Sequence, residues 1–101
     1  MKREKLSPEA VSDMLGKLPS WTLSQNGLSI ERHYKFSNFA EAFGFMSECA
    51  LHAERLNHHP EWKNVYSKVS VSLTTHDSQG LTELDFALAT LTEASANRRF
   101  N

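Results

Sequence analysis

The chain has 101 residues, and its 11 lysines and arginines against 12 aspartates and glutamates give a formal net charge of −1. This length fits one domain over residues 1–101, and the charge balance lacks the basic excess that nucleic-acid binding normally requires. A single cysteine rules out an intramolecular disulfide, no apolar run approaches the roughly 20 residues that span a bilayer, and the N-terminus has no secretory signal. We therefore expect a soluble cytoplasmic domain with no membrane contact.

The first elements are a helix and a hairpin. Ser7, followed by proline and glutamate, has the pattern of a helix N-cap, and the helical run of apolar residues after it ends before Pro19. Asn26-Gly27 is a tight-turn pair between segments of alternating polarity. Residues 20–36 therefore predict a β-hairpin.

A second helix is predicted after Asn38, which with Glu41 has the spacing of a capping box. It must end before Pro60, because the residue preceding a proline avoids the α region. The apolar stripe expected to face the core consists of Phe39, Ala42, Phe43, Met46, Cys49, Ala50, Ala53 and Leu56. Cys49 is interpreted as a small core residue and not as a reactive thiol.

The C-terminal part predicts a second hairpin and a third helix. Residues 62–66 and 69–75 alternate in polarity around a turn expected near Ser67-Lys68. Thr82 and Asp85 then have capping-box spacing. The apolar stripe of this helix is Leu81, Leu84, Leu88 and Leu91. The whole pattern predicts an α+β fold of order α-β-β-α-β-β-α, with helices on one face of a four-stranded antiparallel sheet.

Three histidines should meet at one end of the second hairpin. A two-residue turn at 67–68 would place His59 directly opposite His76, and a different loop would still leave the entry of one strand beside the exit of the other. His58 lies beside His59, and Glu54 comes one helical turn earlier. Pro60 holds His59 in an extended conformation. We expect a cluster of imidazoles with a carboxylate close by.

The cluster has three interpretations. The histidines are solvated or capping side chains, or they form a zinc site with a carboxylate, or they perform acid–base chemistry on an organic substrate without a cofactor. Histidine suits the third role because its ordinary pKa lies near neutrality. His33 and His52 lie outside the cluster, and we expect both to face solvent.

A family resemblance favours the third interpretation. The segment 53–62 reads Ala-Glu-Arg-Leu-Asn-His-His-Pro-Glu-Trp, and Thr75-His76 and Gly80-Leu81-Thr82-Glu83 follow. This block, over residues 53–89, resembles pterin-4a-carbinolamine dehydratase. The resemblance implies dehydration of 4a-hydroxytetrahydrobiopterin to quinonoid dihydrobiopterin, which recycles the pterin for an aromatic amino-acid hydroxylase. It also implies dimers that pair into tetramers, with no metal and no cofactor.

The resemblance assigns roles residue by residue. His58 and His76 take the acid–base positions, and His59 contacts the pterin. The substrate-site positions are Glu54, Asn57, Trp62 and Asp85. Trp62 is equally well a core aromatic, and Asp85 is equally well the capping partner of Thr82.

Two positions differ from the residues found in some relatives. Asn57 stands where some relatives have aspartate, and Leu84 stands where animal members are often basic.

Animal members also serve as dimerisation cofactors of a homeodomain transcription factor, so a non-catalytic partner or assembly role is the alternative function. For self-association, the sequence hint is the apolar surface of the last helix, where Phe86 adds to the leucine stripe.

Overall fold

A computed structural model of the chain describes residues 3–100. Its elements are α1 (Pro8–Leu15), β1 (Thr22–Leu23), β2 (Ile30–Lys35), α2 (Phe39–Leu56), β3 (Glu61–Val65), β4 (Lys68–Leu73), a 3₁₀ turn (His76–Ser78) and α3 (Glu83–Asn97). The strands form one antiparallel sheet of order β1-β2-β4-β3. The predicted fold class and element order are confirmed. Within residues 3–100, none of the helices has the length and apolar character needed to cross a membrane.

The helix starts follow from their capping residues. The Ser7 side chain accepts from the Ala10 backbone N–H at 3.1 Å, and the Asn38 side chain accepts from the Glu41 N–H at 2.8 Å. Thr82 caps α3. Each side-chain oxygen takes up one of the N–H groups that a first turn leaves without a partner.

The core lies between the sheet and the helices, and it corrects the predicted stripe of α2. Phe45, which the prediction omitted, is fully buried, and its ring centroid lies 4.9 Å from those of Tyr34 and Phe36. Phe39 and Phe43 are instead 47% and 56% exposed. Two apolar stripes overlap on α2. The core takes the one that combines Phe45 with small residues, because small side chains let the helix approach its neighbours closely.

The last helix corrects the hint about self-association. Leu81, Leu84, Phe86 and Leu88 are all buried within the single chain, and Leu91 is half-buried. The expected surplus of apolar surface on α3 is therefore absent, since the chain's own core takes up these side chains.

The second hairpin turns one residue earlier than predicted. Tyr66 and Ser67 form its turn, so that Val65 pairs with Lys68. Tyr66 has a left-handed φ of 53°, and the Asn64 side-chain amide donates to the carbonyls of Tyr66 and Lys68, both at 3.0 Å. These two bonds bridge the turn and fix its position.

The predicted pairing of His59 with His76 is therefore wrong. β3 begins at Glu61, which pairs with Ser72, and β4 ends at Leu73. His59 precedes the first strand and His76 lies in the 3₁₀ turn beyond the second. The coarser expectation, that both lie at the same end of the hairpin, agrees with this register.

Candidate active site

His58, His59 and His76 border one cleft of about 270 Å3 at the end of the second hairpin. We call it the histidine cleft. Its other bordering residues are Arg3, Asn57, Thr74, Thr75 and Asp77. The structure thus brings the three imidazoles to a single concave surface, as the sequence predicted.

The end of α2 sets the position of His58. Asn57 adopts the left-handed conformation (φ 51°, ψ 45°), its N–H donates to the Glu54 carbonyl, and the N–H of His58 donates to the Ala53 carbonyl. This pair of bonds is a Schellman motif, which ends a helix with a sharp change of direction. Asparagine is one of the few residues other than glycine that enter this conformation readily. Asn57 therefore directs His58 back toward the third helix.

His58 is buried and bound to a buried carboxylate. Its Nε2 lies 2.6 Å from Oδ1 of Asp85, and the two side chains are 7% and 0% exposed. Oδ2 of Asp85 accepts from the Thr75 hydroxyl at 2.8 Å and from the Thr82 backbone N–H at 2.9 Å. Three partners hold the carboxylate, so it has little freedom to rotate.

The same carboxylate completes the capping box of α3. The Thr82 side chain caps the helix while Asp85 accepts from the Thr82 N–H. A negative charge in the first turn also suits the positive end of the helix dipole. The capping role of Asp85 is therefore confirmed, and its other oxygen faces His58. Its contact with substrate stays a prediction.

The other two histidines pair with carboxylates at the surface. His59 Nε2 lies 2.7 Å from Glu54 Oε1, and His76 Nε2 lies 2.8 Å from Glu61 Oε1. All four side chains are more than half exposed. Exposed ion pairs contribute little to stability, so a ligand can displace these partners at low cost.

The sequence profile of the family described as pterin 4 alpha carbinolamine dehydratase matches residues 4–95. The chain belongs to this family.

The similarity extends over whole sequences. A Rhizobium rhizogenes protein named "Putative pterin-4-alpha-carbinolamine dehydratase" is 59% identical over 99 residues, 98% of this chain and 98% of that protein. A Sinorhizobium fredii protein with the same name is 56% identical, over 97% of this chain and 94% of that protein. A crystal structure of a transcriptional coactivator/pterin dehydratase from Brucella melitensis superimposes with a TM-score of 0.90 at 42% identity, over 92% of this chain and 99% of that one.

A more distant structure shares only the fold. It is a pterin dehydratase-like protein identified as a RuBisCO assembly factor in the alpha-carboxysome. Its TM-score is 0.67 at 22% identity, over 76% of this chain and 89% of that one. The dehydratase fold therefore occurs in a protein described by an assembly role.

Trp62 does not border the histidine cleft. It is half-buried, pairs with Val71 and packs against the core, and it borders a separate depression that also includes His33 and Ser70. Its contact with substrate stays a prediction. Of the two histidines without an assigned role, His33 is exposed, as expected, and His52 is half-buried.

Sequence reasoning missed three residues in or beside the histidine cleft. Glu61 pairs with His76, and Arg3 donates from Nη2 to the Asn57 carbonyl at 2.8 Å while its own carbonyl accepts from Ser78 Oγ. The Thr75 hydroxyl donates a hydrogen bond to Asp85. A signal for Thr75 was available, because it continues the alternating face of the buried valines and leucine of β4, where a hydroxyl needs a partner.

The histidines do not converge on one point in the way that metal ligands do. Nε2 of each lies on a different carboxylate, those of Asp85, Glu54 and Glu61. No group of three or more potential ligands within residues 3–100 has a geometry that could hold a metal ion. The arrangement instead offers three separate imidazole–carboxylate pairs around a common space.

Proposed function

We propose that the chain dehydrates 4a-hydroxytetrahydrobiopterin to quinonoid dihydrobiopterin by histidine acid–base catalysis. The product, once a separate reductase has reduced it by two electrons to the tetrahydro form, is used again by an aromatic amino-acid hydroxylase. The observation that carries this proposal is the histidine cleft, in which a buried, fixed imidazole faces the same space as two exposed ones. Family membership and the names of the relatives support the substrate class.

The reaction requires two proton transfers. The substrate carries a hydroxyl on the saturated carbon C4a, next to the nitrogen N5. A proton goes to the hydroxyl oxygen, the C4a–O bond breaks, and water leaves. The N5–H proton is removed, and its electron pair forms the C4a=N5 double bond. General acid–base catalysis of such transfers typically contributes 10²–10⁴-fold for each group.

The cleft residues suit this division of labour. We assign the two transfers to His58 and His76, and contact with the pterin to His59. Glu54 orients His59 through the 2.7 Å bond between them. We assign a further contact with the heterocycle to Asn57, which borders the cleft. A volume of about 270 Å3 is close to the lower end of ligand pockets and fits a small flat heterocycle.

The test is decay of the authentic carbinolamine, followed by stopped-flow absorbance with and without protein. We expect His58→Ala and His76→Ala each to lower kcat by about 10²–10⁴-fold, and the double variant to lose nearly all catalysis. His33→Ala removes a histidine outside the cleft and serves as the matched control. A double variant that turns over carbinolamine as fast as the parent would remove these roles.

A binding role is the second candidate, since the Brucella relative is described as a transcriptional coactivator as well as a dehydratase. Phe39 and Phe43 offer an exposed apolar surface on α2, with ring centroids 5.7 Å apart, and Leu51 is 70% exposed on the same helix. If binding alone is the function, the double histidine variant keeps the full biological effect.

We also propose that this surface of α2 serves self-association into dimers and tetramers, because exposed apolar side chains on one helix are typical of interfaces. Light scattering should give an oligomer for the parent and a smaller particle for Phe43→Glu. A monomeric parent would refute the assembly and leave the catalytic proposal untouched.

A further inference from the structure

Thr75 is connected to two of the histidines: it precedes His76 in the chain, and it contacts Asp85, which in turn contacts His58. It follows the end of β4 and directly precedes His76, and its side chain is almost fully buried. Its Oγ1 lies 2.8 Å from Asp85 Oδ2 and 2.8 Å from Thr82 Oγ1. A buried hydroxyl with two partners is a fixed part of a hydrogen-bond network.

The direction of every bond in this network follows from the groups involved. A carboxylate only accepts and a hydroxyl has one hydrogen, so Thr75 donates to Asp85. The contact between the two threonines must then use the hydrogen of Thr82. The Thr82 N–H donates to the same carboxylate oxygen at 2.9 Å. The Thr75 hydroxyl and the Thr82 N–H therefore both donate to Asp85, while the Thr82 hydroxyl donates to Thr75.

This direction determines which nitrogen of His58 carries the hydrogen. Oδ2 of Asp85 already accepts two donors, and Oδ1 faces Nε2 of His58 at 2.6 Å. An acceptor-only carboxylate at that distance needs a donor opposite it. Neutral His58 is then the Nε2–H tautomer, and its lone pair is on Nδ1.

The second ring nitrogen of His58 is not engaged by another group in the described part of the chain. Nδ1 of His58 has no hydrogen-bond partner among residues 3–100, and no side-chain nitrogen or oxygen buried in that part of the chain lacks one. Nδ1 must therefore be accessible, and His58 borders the histidine cleft. A lone pair that faces substrate is what a general base requires.

We propose that Thr75 is a positioning residue for the dehydration. Its hydroxyl fixes Asp85 as an acceptor, which fixes His58 as the Nε2–H tautomer, so that Nδ1 takes the proton from N5–H of the substrate. The assignment of that proton rests on the proposed function. Imidazolium at His76 is left to protonate the departing hydroxyl.

Thr75 also holds the turn that carries His76. Its N–H donates to the Gly80 carbonyl and its own carbonyl accepts from the Ser78 N–H, both at 3.0 Å. One residue thus sets His58 through its side chain and His76 through its backbone. The spacing of the acid and the base depends on this single position.

The first experiment measures the tautomer of His58 in the full chain, without substrate. Long-range ¹⁵N–¹H correlation of the neutral ring distinguishes a protonated ring nitrogen from an unprotonated one. We expect a hydrogen on Nε2 and none on Nδ1 in the parent protein. A hydrogen on Nδ1 would overturn the proposal, and this result needs neither a variant nor dehydratase activity.

The second experiment compares variants of the buried threonine. Thr75→Val keeps the shape and removes the hydroxyl, and Thr75→Ser keeps the hydroxyl. We expect Thr75→Val to lower kcat about tenfold with KM unchanged, as for other lost outer hydrogen-bond partners. It should also raise the share of Nδ1–H tautomer, and Thr75→Ser should restore both readouts.

The matched control is Thr92→Val, which removes a hydroxyl of equal burial on α3 outside the cleft. It should change stability and leave kcat as in the parent. Unchanged kcat and an unchanged tautomer in Thr75→Val would overturn the role of Thr75. A parent protein with the expected tautomer but no turnover would refute the proposed function alone.

Discussion

Replacing Asp85 by asparagine separates the two tasks of this residue. Asparagine has the same shape, but its amide offers one oxygen and one NH2 group. The oxygen can still accept from Thr75 and from the Thr82 N–H, as the carboxylate does at 2.8 and 2.9 Å. The NH2 group must then face Nε2 of His58, where two donors would oppose each other.

His58 can resolve this conflict only by changing tautomer. With its hydrogen on Nδ1, Nε2 accepts from the amide and no polar group is left unpaired. Nδ1 can then no longer accept a proton from substrate. We expect kcat to fall by about 10²–10⁴-fold, as is typical when a general base is lost or held in the wrong tautomer.

The effect on stability should be smaller. The variant loses a negative charge in the first turn of α3, and bonds to a charged acceptor become neutral ones. Together these changes lower the free energy of unfolding by about 1–3 kcal/mol. A domain normally has about 5–15 kcal/mol, so the variant should stay folded at 25 °C.

The assay measures carbinolamine decay and urea unfolding on the same samples. Asp13→Asn is the control, because it removes an exposed charge on α1 that does not border the cleft. An Asp85→Asn variant that loses stability but keeps kcat within about threefold would refute the reasoning, since a general base contributes far more than that. Asp85 would then be a helix cap and nothing else.

Three further predictions concern Arg3 at the edge of the histidine cleft, the contribution of Glu48 to stability at low pH, and the reactivity of the Cys49 thiol. Arg3→Gln should raise KM several-fold at unchanged kcat, because Arg3 borders the cleft. The control Lys5→Gln removes the same charge from a residue that borders a different cavity, and it should leave both constants unchanged. Equal effects in the two variants would show that only the net charge matters. Hydrogen bonding from Ser95 lowers the pKa of Glu48 from 4.5 to about 2. Ionised Glu48 therefore stabilises the fold above pH 4.5, and this contribution is lost as the pH falls toward 2. In Glu48→Gln, the urea concentration at the unfolding midpoint should depend less on pH over that interval. The same pH dependence in the variant and the parent would contradict the prediction. Burial raises the pKa of Cys49 to about 11, so iodoacetamide should label it only in denaturant.

The sequence predicted those parts of the fold that are decided locally. The caps at Ser7, Asn38 and Thr82 were all confirmed, because a capping bond involves residues within one turn. The turn of the second hairpin was placed one residue too late. Its position depends on the left-handed Tyr66 and on the bridging amide of Asn64, and neither is visible in the polarity pattern.

The candidate site was predicted as a cluster but not as a set of pairs. Strand order alone brings His76 to the same end of the hairpin as His58 and His59. The partners depend on packing between distant segments, since Asp85 reaches His58 from another helix, and Arg3 contacts Asn57, 54 positions further along the chain. The choice between two overlapping stripes on α2 failed for the same reason, because it depends on which side chains α3 and the sheet can accommodate.

The carboxylate shared between His58 and the start of α3 has a consequence for how such chains diverge. Aspartate at this position would be retained in a related chain without dehydratase activity, because folding alone still selects for it. His59 and His76, exposed and in weak ion pairs, carry no comparable structural constraint. A lineage that gives up chemistry for a binding role should lose its surface histidines first and its buried aspartate last.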